Sequence, residues 1–134
     1  MIGIDTNVLL RYFLADDRAQ HRLASQLIDQ TCSSADPAFV SEIVVVEAVW
    51  FLTKKLRRPK SEIVGALFDI VDHAHLRLRD ESAYLAATNA YAEGSGDFAE
   101  YLIAATNAAC DANPTFTFDK HAAKDGKLCL LTED

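Results

Sequence analysis

The first ten residues are Met1-Ile2-Gly3-Ile4-Asp5-Thr6-Asn7-Val8-Leu9-Leu10, in which a short apolar run ends abruptly in the carboxylate of Asp5. This pattern predicts a buried strand that ends at Asp5, with Thr6 or Asn7 starting a helix. In parallel α/β sheets, functional sites form just beyond the carboxyl ends of the strands. Asp5 is therefore where a site is expected, and the other acids can be judged by whether they converge on it.

Size and composition indicate one folded domain. The chain has 134 residues, of which 50% are hydrophobic and 25% charged, so it can bury a sizeable core. This length and composition predict a single domain over residues 1–134. No signal peptide is recognised, and the longest apolar stretch, residues 43–52, is too short to span a bilayer. Three widely spaced cysteines without a CxxC pair indicate neither a zinc site nor a disulfide framework, and a cytoplasmic location is expected.

The net charge of −7 argues against a protein that coats nucleic acid nonspecifically, because such proteins are normally basic. It does not exclude a nuclease, since clustered carboxylates bind a metal ion and the ion then meets the phosphate. An acidic chain can therefore still act on a nucleic acid through a metal.

Strand and helix patterns alternate along the chain. Short apolar or β-branched runs predict strands at residues 1–4, 38–40, 76–78, 115–118 and 128–131. Longer runs, several with a clear apolar face, predict helices at residues 8–14, 18–30, 42–56, 61–72, 81–93, 97–110 and 121–124. This alternation predicts an α/β fold, a three-layer α/β/α sandwich with a mostly parallel central sheet.

Four acids stand out by their position. Asp5 and Asp119 each follow a predicted strand, so both are expected at the same edge of a parallel sheet, and Asp97 follows a glycine-rich turn. Each of these three aspartates is also a candidate helix N-cap, a common role for this residue. Together with Glu47 they form a candidate oxygen-ligand site for Mg²⁺ or Mn²⁺.

Glu47 is the hardest of the four to explain without a function, because it lies within the most apolar helix of the chain. An ionised carboxylate among apolar neighbours is costly unless it is paired or binds a metal. The alternatives are an ion pair, for which Lys54 is placed seven residues later on roughly the same face, or a side chain that points to solvent. We favour the functional interpretation, since unpaired buried charge is rare.

Four short motifs, taken together, resemble the PIN domain. They are Ile4-Asp5-Thr6-Asn7-Val8-Leu9, Ser41 followed six residues later by Glu47, Asp97 leading into Ala104-Ala105, and Thr117-Phe118-Asp119. Each motif alone is weakly specific, whereas all four in this order and spacing are specific, and they cover essentially the whole chain. The single-domain length further resembles the VapC toxins of bacterial and archaeal toxin–antitoxin pairs.

The resemblance implies a metal-dependent endoribonuclease whose products carry a 5′-phosphate and a 3′-hydroxyl. It implies that the catalytic, metal-binding acids are Asp5, Glu47, Asp97 and Asp119, with Mg²⁺ as the cofactor and Mn²⁺ as an alternative. Asp5 and Asp97 match the most direct metal ligands, whereas Glu47 and Asp119 complete the cluster or hold a second ion. Thr6 and Thr117 match the small hydroxyl positions that orient a ligand or a water.

The same resemblance implies partners. The expected substrate is RNA, of the tRNA or ribosomal RNA class, and the expected inhibitor is a cognate VapB-like antitoxin. A homodimer is expected and a membrane partner is not. The helices predicted at residues 8–14 and 43–56 are candidate surfaces for the dimer or the antitoxin, and equally candidates for the core.

Three further features have competing interpretations. A basic segment comprises Lys54, Lys55, Arg57, Arg58 and Lys60; it is a candidate site for RNA phosphates, but we favour a solvated helix end, where cations are common. His73 and His75 are poor candidates for a metal site, because no third ligand is near in the sequence. Tyr12, Phe13 and Trp50 are candidates for base stacking or a dimer interface, with core packing as the default for Trp50.

Two other functions remain as alternatives. A Mg²⁺-binding phosphotransfer domain also places acids at strand ends, but such domains usually carry a second acid near the first, and here Thr6 and Asn7 follow Asp5. A non-catalytic α/β binding module, in which the acids only cap helices, predicts no metal binding and no effect of removing Asp5.

Overall fold

The computed structural model describes residues 1–133. The chain divides into two compact units, Met1–Arg79 and Asp80–Asp134. A helix that could span a bilayer is absent from the described part of the chain.

The first unit is a three-stranded parallel sheet with four helices. Its elements are β1 (Ile2–Gly3), α1 (Thr6–Phe13), α2 (Arg18–Ser25), β2 (Ala38–Phe39), α3 (Glu42–Trp50), α4 (Lys60–Asp72) and β3 (Leu76–Arg77). The strand order is β1-β2-β3, with Ile2 opposite Ala38 and Ala38 opposite Leu76. Helix α2 continues as a π-helical segment, Gln26–Thr31, and α3 continues as another, Phe51–Lys55.

Side-chain caps set the starts of several of these helices. The Ser41 hydroxyl accepts a hydrogen bond from the Val44 N–H at 3.3 Å, and the Asp17 carboxylate accepts one from the Gln20 N–H at 3.0 Å. Each cap satisfies a backbone donor that has no partner within the helix. The predicted N-cap role of Ser41 is therefore confirmed, and helix α3 begins directly after β2.

The core of the first unit consists of aliphatic side chains from all four helices and from the chain that follows the central strand. Those larger than alanine that are at most 1% exposed are Leu9, Ile28, Val40, Val45, Ile63 and Leu67. Burying one such side chain contributes about 1.5–3 kcal/mol relative to leaving it exposed. This burial holds α1 and α3 in place, and these two helices carry Thr6 and Glu47.

The second unit combines a helix pair with a two-stranded parallel sheet. Its elements are α5 (Glu81–Glu93), α6 (Phe98–Ala109), β4 (Phe116–Thr117), α7 (Lys120–Ala123) and β5 (Cys129–Leu130). Phe98 is buried between Tyr84 and Tyr91 of α5, with ring centroids 6.3 and 5.9 Å away in edge-to-face geometry. These aromatic contacts fix the start of α6, the helix that Asp97 precedes.

The predicted fold class is confirmed: the chain is α/β, all of its strand pairs in residues 1–133 are parallel, and each predicted strand and helix is found near its expected position. The strands are shorter than predicted, with two residues each. Hydrogen bonds place β1 and β4 in different sheets, so the expectation that Asp5 and Asp119 follow strands of one sheet is wrong. A sequence pattern locates a strand but does not identify its partner. The single domain over residues 1–134 stays a prediction.

A hydrogen-bonded chain of polar side chains joins three segments of the first unit. The Tyr12 hydroxyl lies 2.6 Å from Asp29 Oδ1 and 2.6 Å from His73 Nε2, and the His75 N–H donates to His73 Nδ1 at 3.0 Å. Because Nδ1 accepts, a neutral His73 carries its proton on Nε2, which donates to Tyr12, and Tyr12 then donates to Asp29. Protonation of Nδ1 would break the bond to the His75 amide.

Burial is the main cause of a lowered His73 pKa; His75 lowers it further and Asp29 opposes the change. The unfolded chain therefore takes up a proton at the ordinary histidine pKa, about 6.5, while the folded chain resists it. Since the unfolded state then binds more protons, folding stability is present above that pH and is lost as the pH falls through it.

We therefore expect the free energy of unfolding in urea to decrease between about pH 7.5 and pH 5.5, a window that brackets the ordinary histidine pKa, and to decrease less in His73→Gln. The control is His121→Gln, at an exposed position of α7, which should follow the unmodified protein. Equal decreases in the unmodified protein and in His73→Gln would contradict this account.

Candidate acidic site

Asp5 is near the position that the sequence predicts, two residues after the end of β1. Ile4, which precedes it, is 8% exposed, and its N–H donates to the Phe39 carbonyl at 3.2 Å. The Asp5 carboxylate is exposed, and its Oδ1 accepts a hydrogen bond from the Val8 N–H at 3.0 Å. Asp5 is thus the N-cap of α1, and within residues 1–133 its second oxygen has no hydrogen-bond donor.

Glu47 lies on the solvent-facing side of α3. The buried side of the helix consists of Val44, Val45, Ala48 and Val49, whereas Glu47 is exposed. The expectation that its carboxylate is buried among apolar neighbours is therefore wrong. Although nearly the whole helix is apolar in sequence, only one of its sides packs against the rest of the protein. Among the ion pairs of residues 1–133, none joins Glu47 to Lys54.

One hydrogen bond joins two of the predicted site residues of the first unit. The Thr6 hydroxyl donates to Glu47 Oε1 at 2.9 Å. Thr6 is the first residue of α1 and follows Asp5 directly, so this bond links Glu47 to the start of α1. It leaves the other Glu47 oxygen free of protein donors in the described chain and limits the rotamers of an exposed side chain.

Asp97 occupies the N-cap position of α6, but its side chain makes no capping hydrogen bond. The carboxylate is exposed, and no hydrogen bond or ion pair holds it among residues 1–133. An aspartate at an N-cap normally accepts a backbone hydrogen bond. Both Asp97 oxygens are therefore open to solvent or to a ligand.

The turn before Asp97 is held by Tyr101. Gly96 N–H donates to the Tyr101 hydroxyl at 2.9 Å, and this hydroxyl donates to Asp125 Oδ2 at 2.6 Å. A Cβ at Gly94 would lie 2.1 Å from the same hydroxyl oxygen. Glycine is required at Gly94 because the buried tyrosine approaches the backbone too closely for any side chain.

Asp119 and Thr117 form a local arrangement in the second unit. Asp119 Oδ1 accepts from the N–H groups of His121 and Ala122, at 2.9 and 3.2 Å, and so caps α7. The Thr117 hydroxyl oxygen accepts from the Asp119 N–H at 3.0 Å. The carboxylate is exposed, and one of its oxygens is used by the cap.

The chemistry of these groups fits a hard divalent cation, since exposed carboxylate oxygens without cationic partners are the ligands that Mg²⁺ and Mn²⁺ prefer. Within residues 1–133, however, no group of three or more histidine, cysteine, aspartate and glutamate side chains lies close enough together to hold a metal ion. The structure joins Thr6 to Glu47 and Thr117 to Asp119. The convergence of all four acids stays a prediction.

Sequence reasoning missed the exposure of Trp50. This side chain is 53% exposed, so the default expectation of core packing is wrong. Ile43, Glu47 and Trp50 follow one another at intervals of four and three residues, which places them on one helical face. That spacing was the available signal. The basic segment, residues 54–60, is solvent-exposed at each of its lysines and arginines.

Replacing Tyr101 with phenylalanine should lower the free energy of unfolding by about 1–3 kcal/mol, because the buried Gly96 N–H loses its acceptor. The matched control is Ser95→Ala in the same turn, which removes only an exposed hydrogen bond from the Ser95 hydroxyl to the His121 carbonyl at 3.2 Å, so the expected change is about 0.5 kcal/mol, the low end for a hydrogen bond. Urea unfolding measures both. A Tyr101→Phe variant as stable as the Ser95→Ala variant would show that the hydroxyl does not support the turn before Asp97.

Comparison with known proteins identifies the family of the chain. The PIN domain family profile matches residues 2–127, a range that contains all four acids. No curated protein and no solved structure matches the chain. PIN domains are generally nucleases that depend on divalent metal ions. Because the match extends over nearly the whole sequence, this chain belongs to the PIN domain family.

Proposed function

We propose that the protein is a metal-dependent endoribonuclease, the toxin component of a toxin–antitoxin pair, and that its site residues are Asp5, Glu47, Asp97 and Asp119. The observation that carries the proposal is the Thr6–Glu47 hydrogen bond at 2.9 Å. It holds an exposed carboxylate near the start of α1, whose first residue, Thr6, follows Asp5 in the sequence. Nothing else in the described contacts of Glu47 gives this carboxylate a structural role.

The exposure and lack of ion pairs of the four acids favour a role in binding a cation over a purely structural role. Each of the four carboxylates is exposed and lacks an ion pair among residues 1–133. Asp97 makes no capping hydrogen bond either. Each therefore has at least one carboxylate oxygen that is open to a cation.

The four acids differ in which of their carboxylate oxygens are free to bind a metal ion. Asp5 and Asp119 each use Oδ1 to cap a helix, which orients the remaining oxygen. Asp97 offers both of its oxygens, and Thr6 holds Glu47 through one oxygen and leaves the other. Thr117 sets the backbone at Asp119. When bound, Mg²⁺ or Mn²⁺ supplies charge neutralisation at the phosphodiester and activation of the attacking water.

The proposal includes the substrate and partners implied by the likeness to VapC toxins. The substrate is tRNA or ribosomal RNA, cut to leave a 5′-phosphate and a 3′-hydroxyl. The partners are a VapB-like antitoxin and a second copy of the chain, in the cytoplasm. The exposed basic segment, residues 54–60, is proposed to bind RNA phosphates on an otherwise acidic protein.

A non-catalytic binding module is the second candidate, and one observation favours it. Asp5 and Asp119 both cap helices, which gives these two acids a structural role that needs no metal. This candidate does not explain Asp97, whose carboxylate caps nothing. It predicts that the protein binds neither Mg²⁺ nor Mn²⁺.

The central test is cleavage of a mixed tRNA and ribosomal RNA pool by purified protein without antitoxin, with Mg²⁺, with Mn²⁺ and with EDTA. We expect discrete cuts that require the metal and that decrease in Asp5→Asn by more than about 100-fold, the upper range for groups that only support a metal ligand. Asparagine keeps the cap to the Val8 N–H but removes the charge.

The matched control for Asp5→Asn is Asp17→Asn. Asp17 also caps a helix through Oδ1, at 3.0 Å from the Gln20 amide nitrogen, so the same change is made at a cap outside the proposed site. Asp17→Asn should cleave at the unmodified rate. Intact RNA under every metal condition, with no binding of metal by calorimetry, would favour the binding module instead.

Metal binding should also be visible without activity. At a free Mn²⁺ concentration of 100 times Kd, we expect the free energy of unfolding to rise by about 2.7 kcal/mol. Asp97→Asn should abolish this gain and leave the stability of the metal-free protein unchanged, because the Asp97 side chain makes no hydrogen bond in residues 1–133. Thermal unfolding with and without Mn²⁺ measures both. A full gain retained in Asp97→Asn would remove Asp97 from the metal ligands.

A further inference from the structure

Trp50 forms part of an open cavity next to the Thr6–Glu47 pair. The cavity has a volume of about 470 Å³ and is lined by Thr6, Asn7, Leu10, Val46, Glu47, Trp50 and Phe51. Its size falls within the usual range of small-molecule pockets, about 300–1,000 Å³. Trp50 is the single tryptophan of the chain and is 53% exposed. An aromatic surface thus adjoins the carboxylate that Thr6 orients.

A cation lies against the same ring. Lys55 Nζ is 5.6 Å from the centroid of the Trp50 ring, a distance typical of a cation–π contact. Lys54 and Arg57 follow α3 nearby in sequence and are exposed. One continuous helical segment, residues 42–55, therefore carries an acid, an aromatic ring and cations in that order.

This combination matches the chemistry of an unpaired nucleotide. Sites for single-stranded nucleic acid combine aromatic rings, on which bases stack, with basic groups that bind the backbone phosphates. Stacking needs the face of a base, and in a duplex that face is covered by the neighbouring base pair. The cavity therefore favours a single-stranded or looped segment over a regular helix.

We propose that Trp50 stacks on an unpaired base of the RNA and so places the adjoining phosphodiester beside Asp5 and Glu47, with Lys55 and Lys54 against the backbone phosphates. The inference rests on the proposed ribonuclease function and adds a residue that positions the RNA, Trp50. Trp50 is a positioning residue in this account, because it binds a base and takes no part in the transfer.

Charge complementarity is the reason for assigning a nucleotide to this cavity. The walls supply a carboxylate for the metal, and Lys55, which lies against the Trp50 ring, supplies a cation for phosphate, whereas an apolar helix of another protein would meet both charges. The other large exposed hydrophobic side chain of α3, Ile43, is 73% exposed and does not line the cavity. It is the control position for a protein contact on the same face.

Intrinsic fluorescence tests stacking directly, since all tryptophan emission comes from Trp50. In EDTA, oligouridylate should quench this emission at the same concentrations at which a fluorescein-labelled oligouridylate gains anisotropy. Oligouridylate annealed to oligoadenylate should not quench the emission. Binding without quenching, equal quenching by the duplex, or no binding of oligouridylate would each overturn the inference.

Variants separate stacking from general apolar contact. Trp50→Ala and Trp50→Leu should weaken oligouridylate binding roughly tenfold, within the range measured for loss of one stacked base, whereas Trp50→Phe should keep most of the affinity. With Mg²⁺ and an unstructured RNA substrate, the first two should raise KM and leave kcat unchanged. Far-UV circular dichroism and urea unfolding confirm that each variant is folded, and Ile43→Ala should match the unmodified protein throughout.

The outcomes test the role of Trp50 separately from the proposed ribonuclease activity. Absence of metal-dependent cleavage would reject the ribonuclease proposal, whereas the fluorescence test is independent of cleavage. Normal cleavage with unchanged KM in Trp50→Ala would reject only the role of Trp50. If Trp50→Ala and Ile43→Ala both reduced self-association, measured by sedimentation, and neither changed RNA binding, the face would be a contact between copies and the inference would be wrong.

Discussion

The parallel pairing of β1 with β2 is the constraint on which the first unit depends. Because the two strands run in the same direction, with Gly3 opposite Phe39, the helices that follow them begin at the same edge of the sheet. Helix α1 begins after Asp5 and helix α3 after Ser41, and this common edge brings the Thr6 hydroxyl to Glu47. Strands of only two residues suffice, because the buried side chains of α1, α3 and α4 hold the helices against them.

Helix α3 shows how one apolar sequence can serve both the core and a site. Its buried face consists of Val44, Val45, Ala48 and Val49, and its exposed face presents Ile43, Glu47 and Trp50. The exposed apolar groups lose the stabilisation that burial would contribute. The Trp50 ring and the Glu47 carboxylate lie at the surface one helical turn apart. In the role proposed for them, the ring stacks on a base and the carboxylate binds the metal ion next to the phosphate.

The second unit shows that the same residue type can have different uses at equivalent positions. Asp119 caps α7 through two backbone amides, whereas Asp97, at the N-cap of α6, caps nothing. In the turn before Asp97, the Tyr101 hydroxyl accepts a hydrogen bond from the Gly96 amide. A cap alone therefore explains Asp119, and it does not explain Asp97.

The sequence by itself determined the order of strands and helices and the starts of α3 and α5, because periodicity and capping act over a few residues and are visible locally. Only the tertiary structure decided which strands pair, and it divided β1 and β4 between two sheets. It also decided that Glu47 and Trp50 are exposed. Apart from the spacing of Ile43, Glu47 and Trp50, the sequence of helix α3 gives little indication of which side faces the core, because the helix is apolar on nearly all sides; the helices and strands packed against it determine that side.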